Sequence, residues 1–349
     1  MTTHPPLAAD HINAPHREFA MGDLVLESGE AIVDYRQSFV THGTLDPERS
    51  NAVLICAALT ATHHRLDFLI GPGKGLDPSR YFIVATDPIG NGLSTSPSNS
   101  AHQPGMRFPR FVLRDMVRAQ HRLLIEHLGI DRLHAVVGAS MGGMQALQWA
   151  VSHPTSMRNI VAMTPMARTA PWAVLVTETA RACLMADRAW TGDGFASVPE
   201  RGWKAYSGLM NALVMRTPDA VDGVVADLDR THAWFARLAA QQRDNGFDAH
   251  DYLYQSWAYE SHDVGTTPGV CGGTDGALRT IVARALVLAS PMDLFNPAAA
   301  AREAADAIAG ASFVEIPSTQ GHLAASSTRS EDAAFLNRMI ANFLDAAAD

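Results

Sequence analysis

The sequence predicts an α/β fold, a mostly parallel central sheet with helices on both faces and a helical insertion. Three observations predict it. Continuous apolar runs such as "NAVLICAAL" (51–59) and "YFIVATD" (81–87) have strand length and the hydrophobicity of strands buried on both sides. Segments with apolar residues at helical spacing alternate with these runs, which is the pattern of parallel strands joined by helices. From Pro171 to about residue 279 the alternation stops and only helical patterns remain.

The elements follow in order. Residues 1–17 are polar and proline-containing, and read as a tail that orders on demand. "FAMGDLVLESGEAIVDYRQSF" (19–39) alternates around Ser28-Gly29, a hairpin signal. The runs 51–59 and 81–87 are strands, the second leading into the loop "PIGNGLSTSPSNS". Residues 111–130 form a helix, with Val112, Met116, Leu123, Leu124 and Leu128 on its apolar face and Gly129 closing it. "LHAVVGAS" is a strand, a helix follows it, and "NIVAMTPMA" (159–167) is the next strand. The insertion holds three helices, in "WAVLVTETARACLMADRAW", "AVDGVVADLDRTHAWFARLAAQQRD" and "DAHDYLYQSWAYES". "GVCGGTDG" (269–276) reads as a flexible return. "ARALVLASPMD" (283–293) and "ASFVEIPSTQGH" (311–322) resume the sheet around a helix near 297–310, and "DAAFLNRMIANFLDAAA" closes the chain. The organisation is a core in two parts, 1–168 and 280–349, with a helical lid at 169–279.

Composition narrows the partners. The 349 residues are 47% apolar, enough for an ordinary core, and carry a net charge of −9. Nucleic acid and anionic membranes both ask for a basic face, so neither is expected. No window reaches the length of a membrane span, and the N-terminus lacks a signal-peptide core. Cys56, Cys183 and Cys271 are odd in number and scattered, without metal-ligand spacing. The expectation is a cytoplasmic protein with no metal and no resident cofactor. "GPGKG" (71–75) lacks the Gly-Lys-Ser/Thr ending of a phosphate loop and reads as a turn.

The chemistry centres on Gly138-Ala139-Ser140-Met141-Gly142, a G-x-S-x-G between a strand and a helix. Such an elbow forces its serine into a strained conformation, and small neighbours leave room for the reversal. A serine nucleophile needs a base, and the base needs an orienter. In α/β-hydrolase sites the chain order is serine, acid, histidine. Asp293 and His322 each stand just past a strand, where α/β sites are built. Two N–H donors are expected for the oxyanion: Met141, after the nucleophile, and Leu59, after the first core strand, with the Thr60 hydroxyl beside it. His63, His121, His127 and His153 lie on or near helices or in an early loop and read as solvent-facing or packing residues. Trp234, Tyr252, Tyr254, Trp257 and Tyr259 fit either a substrate tunnel or helix packing.

Over nearly its whole length the chain resembles the homoserine O-acetyltransferase group of α/β-hydrolases. "ALTATHH" (58–64) is similar to the oxyanion loop of that group, and "LIGPGKGLDPSRYFIVATDPIGNG" to its next strand and flanks. "GASMGGMQALQWA" resembles its elbow, and "ETARACLMADRAWTGDGF" and "FDAHDYLYQSWAYESHDVG" its lid helices. "MDLF" and "GHLA" carry the remaining triad members. The resemblance implies an acyl-enzyme on Ser140, ping-pong turnover and a homodimer formed through the lid helices. It also marks three departures. Leu323 stands where the family has an aspartate for the substrate ammonium. In "GLMNALVMR", Leu213 stands where the family has an arginine for the substrate carboxylate, and Arg216 follows a turn later. The loop after the second core strand reads Gly90-Asn91-Gly92-Leu93-Ser94 in place of the family's cysteine-and-glycine signature.

Burying a zwitterion without partners costs several kcal/mol per ion. With Thr60, Leu213 and Leu323 as the substrate-binding residues, a neutral ester is the expected substrate. The sequence therefore points to a serine hydrolase of short-chain esters, foremost acetyl esters. The alternative is an O-acetyltransferase acting on homoserine or another alcohol, with acetyl-CoA as co-substrate. A binding protein with a dead site is disfavoured by the complete triad.

Overall fold

The computed structural model describes residues 7–225 and 227–346. Eight strands form one sheet: β1 (Arg17–Val25), β2 (Ala31–His42), β3 (Ala52–Cys56), β4 (Phe82–Thr86), β5 (Leu133–Ala139), β6 (Met157–Met163), β7 (Arg284–Ala289) and β8 (Ser312–Glu315). Their spatial order is β1-β2-β4-β3-β5-β6-β7-β8. β1 and β2 form the expected hairpin, and β2 lies antiparallel on β4. The pairs from β4 through β8 are all parallel. The central strands are buried on both faces, which is why they read as unbroken apolar runs. Alternate residues feed two cores: Leu54, Val136 and Ile160 pack on one side, and Val53, Val137 and Val161 on the other.

Helices cover both faces. α1 (Leu113–Arg122) continues as a π-helical segment, Leu123–Leu128, before the left-handed Gly129 ends it. The single helix expected over 111–130 is thus a composite. α2 (Met141–Ser152) is buried on nearly every side, since it packs on β5, β6 and α1 together. The insertion holds α3 (Pro171–Met185), α4 (Glu200–Ser207), α5 (Pro218–Asp222), α6 (Leu228–Asp244) and α7 (Ala249–Glu260), with a π-helical turn at Gly208–Val214. α9 (Ala298–Ala307) and α10 (Ser330–Asp345) belong to the final part of the chain, after α8 (Gly273–Arg279). Among the described residues no helix is long and apolar enough to cross a membrane.

Two readings of the chain are corrected. The return at 269–276 is helical from Gly273: the left-handed Gly272 caps α8, and Ala277 and Leu278 bury its inner face. The tail assigned to residues 1–17 lies partly outside the described residues. Within them, the Ile12 N–H donates to Asp67 at 2.7 Å, Ile12 and Ala14 pack on a core, and Arg17 already begins β1. "GPGKG" is a turn, closed by the Gly71 N–H on the Leu76 carbonyl at 3.2 Å.

Candidate active site

The loops following β3, β5, β7 and β8 bring the sequence-predicted residues together at one end of the sheet. Ser140 occupies the tight turn between β5 and α2 with φ 57° and ψ −124°. Its neighbours must be glycine for a specific reason. A Cβ on Gly142 would run into the Cys56 carbonyl, and one on Gly138 into the Gly142 carbonyl. Ser140 is held from both sides, its N–H on the Met163 carbonyl at 2.9 Å and its carbonyl under the Met144 N–H at 3.0 Å.

His322 and Asp293 complete a chain of hydrogen bonds. His322 Nε2 lies 3.0 Å from Ser140 Oγ, and His322 Nδ1 lies 2.7 Å from Asp293 Oδ2. The other Asp293 oxygen accepts the N–H groups of Phe295 and Asn296 at 2.8 and 2.9 Å, so the acid is locked by its own loop. The His322 ring meets the edge of Phe295 at 5.2 Å, and Tyr259 of α7 stacks on Phe295 from behind. The Tyr259 hydroxyl donates to Asn296, whose amide donates to the Thr164 carbonyl at 2.7 Å. All three triad groups are buried, with Ser140 only 3% exposed.

The expected oxyanion donors are available. Met141 is the first residue of α2, where an N–H has no intrahelical acceptor. Among the described residues no acceptor takes the Leu59 N–H. The loop carrying it is held by groups that sequence reasoning missed. Thr60, at a left-handed φ of 60°, donates its N–H to Gln255 of α7 at 2.9 Å, and Gln255 donates to the Ile89 carbonyl at 3.1 Å. From the other side Gln145 of α2 donates to the Ala57 carbonyl at 3.0 Å, itself held by Gln120. Nothing in the sequence marks Gln255, because a glutamine within a helical pattern, 195 residues from its partner, carries no spacing signal.

Two cavities flank this centre. One, of about 580 Å³, opens beside the oxyanion loop between Thr60, Asn91 and Phe247. The other, of about 310 Å³, reaches Leu323, the residue after His322, with Met215 and Leu238 completing its apolar wall and Arg216 as its charged group. Gln241 and Asn245 of the insertion line both. Thr60 lines the first cavity and Leu323 the second, whereas Leu213 lines neither. Leu213 is 67% exposed. It lies in the π-helical turn Gly208–Val214. Arg216 faces the cavity in its place. Its guanidinium donates to the Asn211 carbonyl, lies 5.6 Å from the Trp234 ring, and is shifted down by burial.

The insertion's aromatics pack rather than line a tunnel. Tyr252 meets Tyr206 at 4.9 Å, and Tyr254 packs on Phe108 and Trp257. His63 is neither solvent-facing nor an apolar packing residue. It is buried, with Nδ1 2.9 Å from Asp87, and the adjacent His64 meets Asp67 at 2.7 Å.

Comparisons agree with this architecture. The family model described as the alpha/beta hydrolase fold matches residues 51–325. A homoserine O-acetyltransferase of Solidesulfovibrio magneticus is 32% identical, over 93% of this chain and 89% of that protein. An acetylester hydrolase from Corynebacterium glutamicum superposes with a TM-score of 0.88 at 28% identity, covering 95% of this chain and 96% of that one. A homoserine O-acetyltransferase from Bacillus anthracis gives 0.82 at 26% identity, covering 95% and 98%. An elbow serine bonded to a histidine and an aspartate on an eight-stranded α/β sheet, together with this similarity along the chain, places the protein in the homoserine O-acetyltransferase family of the α/β-hydrolase fold.

Proposed function

We propose that the protein is a serine hydrolase of short-chain carboxylic esters, foremost acetyl esters. The observation that carries the reading is the cavity lined by Leu323, the residue after His322. Leu323, Met215 and Leu238 give it an apolar wall, and among the described residues no carboxylate lines it to receive an ammonium group. An amino-acid acceptor placed there would find a cation, Arg216, and no carboxylate among the described lining residues. Water needs no such anchor.

The chemistry follows from the distances. Ser140 Oγ attacks the ester carbonyl as His322 Nε2, 3.0 Å away, takes its proton. Asp293 fixes the imidazole orientation and stabilises its cation. The tetrahedral oxyanion lies against the Leu59 and Met141 N–H groups, in surroundings poor in water where such donors count most. Collapse breaks the bond to the alcohol, which leaves with the proton from His322. Water then attacks the acyl-enzyme with the same base, and Ser140 regains its proton as the carboxylate departs.

Purified protein should hydrolyse p-nitrophenyl acetate with saturation kinetics and carry a transient acetyl group on Ser140, read by mass spectrometry after acid quench. Ser140→Ala should lower kcat by about 10⁴–10⁶ with an unchanged thermal midpoint. Retention of activity in that variant would remove the serine mechanism.

A second reading, acetyl transfer to an alcohol, draws on the acetyltransferase relative and on Arg216, a cation in the same cavity able to hold a carboxylate. Transfer from acetyl-CoA to homoserine at a rate exceeding hydrolysis would favour it.

A further inference from the structure

We propose that His16, His63 and Asp87 form a binding site for one divalent first-row transition ion, with Zn²⁺ as the probe. The three side chains come from the residue before β1, the loop after β3 and the residue after β4, and their donor atoms lie within 4.8 Å of one another. His63 Nδ1 is 2.9 Å from Asp87 Oδ2, and His16 Nε2 is 3.5 Å from the same oxygen. Ligands about 2.0–2.1 Å from a tetrahedral ion stand about 3.3 Å apart, so modest side-chain shifts close the set.

Asp87 gathers the two imidazoles and several orienting donors around one carboxylate. Its Oδ1 accepts the His63 N–H at 2.9 Å and the Asn91 amide at 3.0 Å. Its Oδ2 accepts the Ser38 hydroxyl at 2.6 Å and still faces both imidazole nitrogens. The Ser38 hydroxyl also lies 3.2 Å from His16 Nε2, so it links that ring to the carboxylate. With an ion between them, His63 and His16 present lone pairs in place of N–H groups, and Oδ2 becomes the third ligand.

The surroundings suit a metal. Asn91, Ser38 and the His63 backbone orient the carboxylate, as partners around a metal ligand do. His63 and Asp87 are buried while the His16 side chain is 30% exposed, which leaves a solvent side for entry and for a fourth ligand. Two imidazoles with one carboxylate select transition ions over Ca²⁺ and Mg²⁺, which take oxygen ligands. Bound there, the ion ties the first strand to the loop that follows Leu59 and Thr60. Asn91 makes that link direct, because its amide also donates to the Ala61 carbonyl at 3.2 Å.

The test uses untagged full-length protein freed of metal by chelator dialysis. Calorimetric titration with Zn²⁺ should give one ion per chain at micromolar affinity or tighter, and a raised thermal midpoint. Co²⁺ should give visible bands of a low-symmetry nitrogen-containing site. His16→Ala should weaken Zn²⁺ by at least about 10–100-fold, the loss typical of disturbing even an outer partner, and should abolish the midpoint shift. His16→Gln serves as a second variant. His11→Ala, which removes a ring stacked on His64 outside the set, should leave binding unchanged. Absence of stoichiometric Zn²⁺ binding, or affinity that survives both His16 variants, would overturn the proposal.

Discussion

Ser140 adopts a backbone conformation that costs of order 1–3 kcal/mol for a residue with a side chain, and the turn around it leaves it no alternative. The strain aims Oγ at His322, and Asp293 settles which imidazole nitrogen faces it. Replacing Asp293 by asparagine keeps the shape of the loop, because the side-chain oxygen can still accept the Phe295 and Asn296 N–H groups. The amide nitrogen, however, would donate to Nδ1 and favour the wrong tautomer. Asp293→Asn should therefore lower kcat by about 10⁴ with little change in thermal midpoint. Steady-state kinetics with calorimetry of the same preparation checks this, and near wild-type rates would point to another orienting acid.

α7 reaches both halves of the catalytic apparatus. Gln255 holds the Thr60 N–H beside the oxyanion loop, and Tyr259 reaches the Asp293 loop through Asn296. Gln255→Leu should lower kcat while leaving KM nearly unchanged, by less than the about 10²–10³ that loss of an oxyanion donor costs. An unchanged kcat would mean that the loop is set by Gln145 and the strand end alone. A pH effect belongs to this scale too. His121 of α1 and His153, just after α2, stack at 4.0 Å, and burial, with His121 adding to it, pushes His153 down to about 4. Burial pushes His262, just past α7, down to about 3. Unfolded, these imidazoles take a proton near 6.5, so the unfolded state binds more protons over the interval below that value. Stability is thus full above about pH 6.5 and falls as pH drops toward 4 and then 3. Thermal midpoints across this range should show the decline, and His153→Gln should flatten its upper part. An unaltered slope in His153→Gln would show that His153 protonates as freely in the fold as outside it.

Across the molecule, legibility followed how locally each feature is determined. The elbow is readable because a sharp strand-to-helix turn demands glycine on both sides of Ser140. Asp293 and His322 are readable because sheet strands end just before them. Central strands announce themselves by burial on both faces, and β1 and β2 by their turn. Gln255 and Tyr259 are not readable as site residues, since helix packing alone decides what they touch. Leu213 was placed by motif resemblance alone, which carries no information on which face of a π-helical turn a residue takes. The grouping of His16, His63 and Asp87 has no sequence spacing at all and exists only through the order of strands. What these parts amount to turns on where the acyl group goes. The most direct test incubates the enzyme with an acetyl ester and saturating homoserine and quantifies the products by NMR. The account predicts acetate as the product, formed at a rate indifferent to homoserine, because among the described residues the cavity at Leu323 holds no carboxylate for the amino acid's ammonium. O-acetylhomoserine as the main product, with acetyl release accelerated by homoserine, would contradict it.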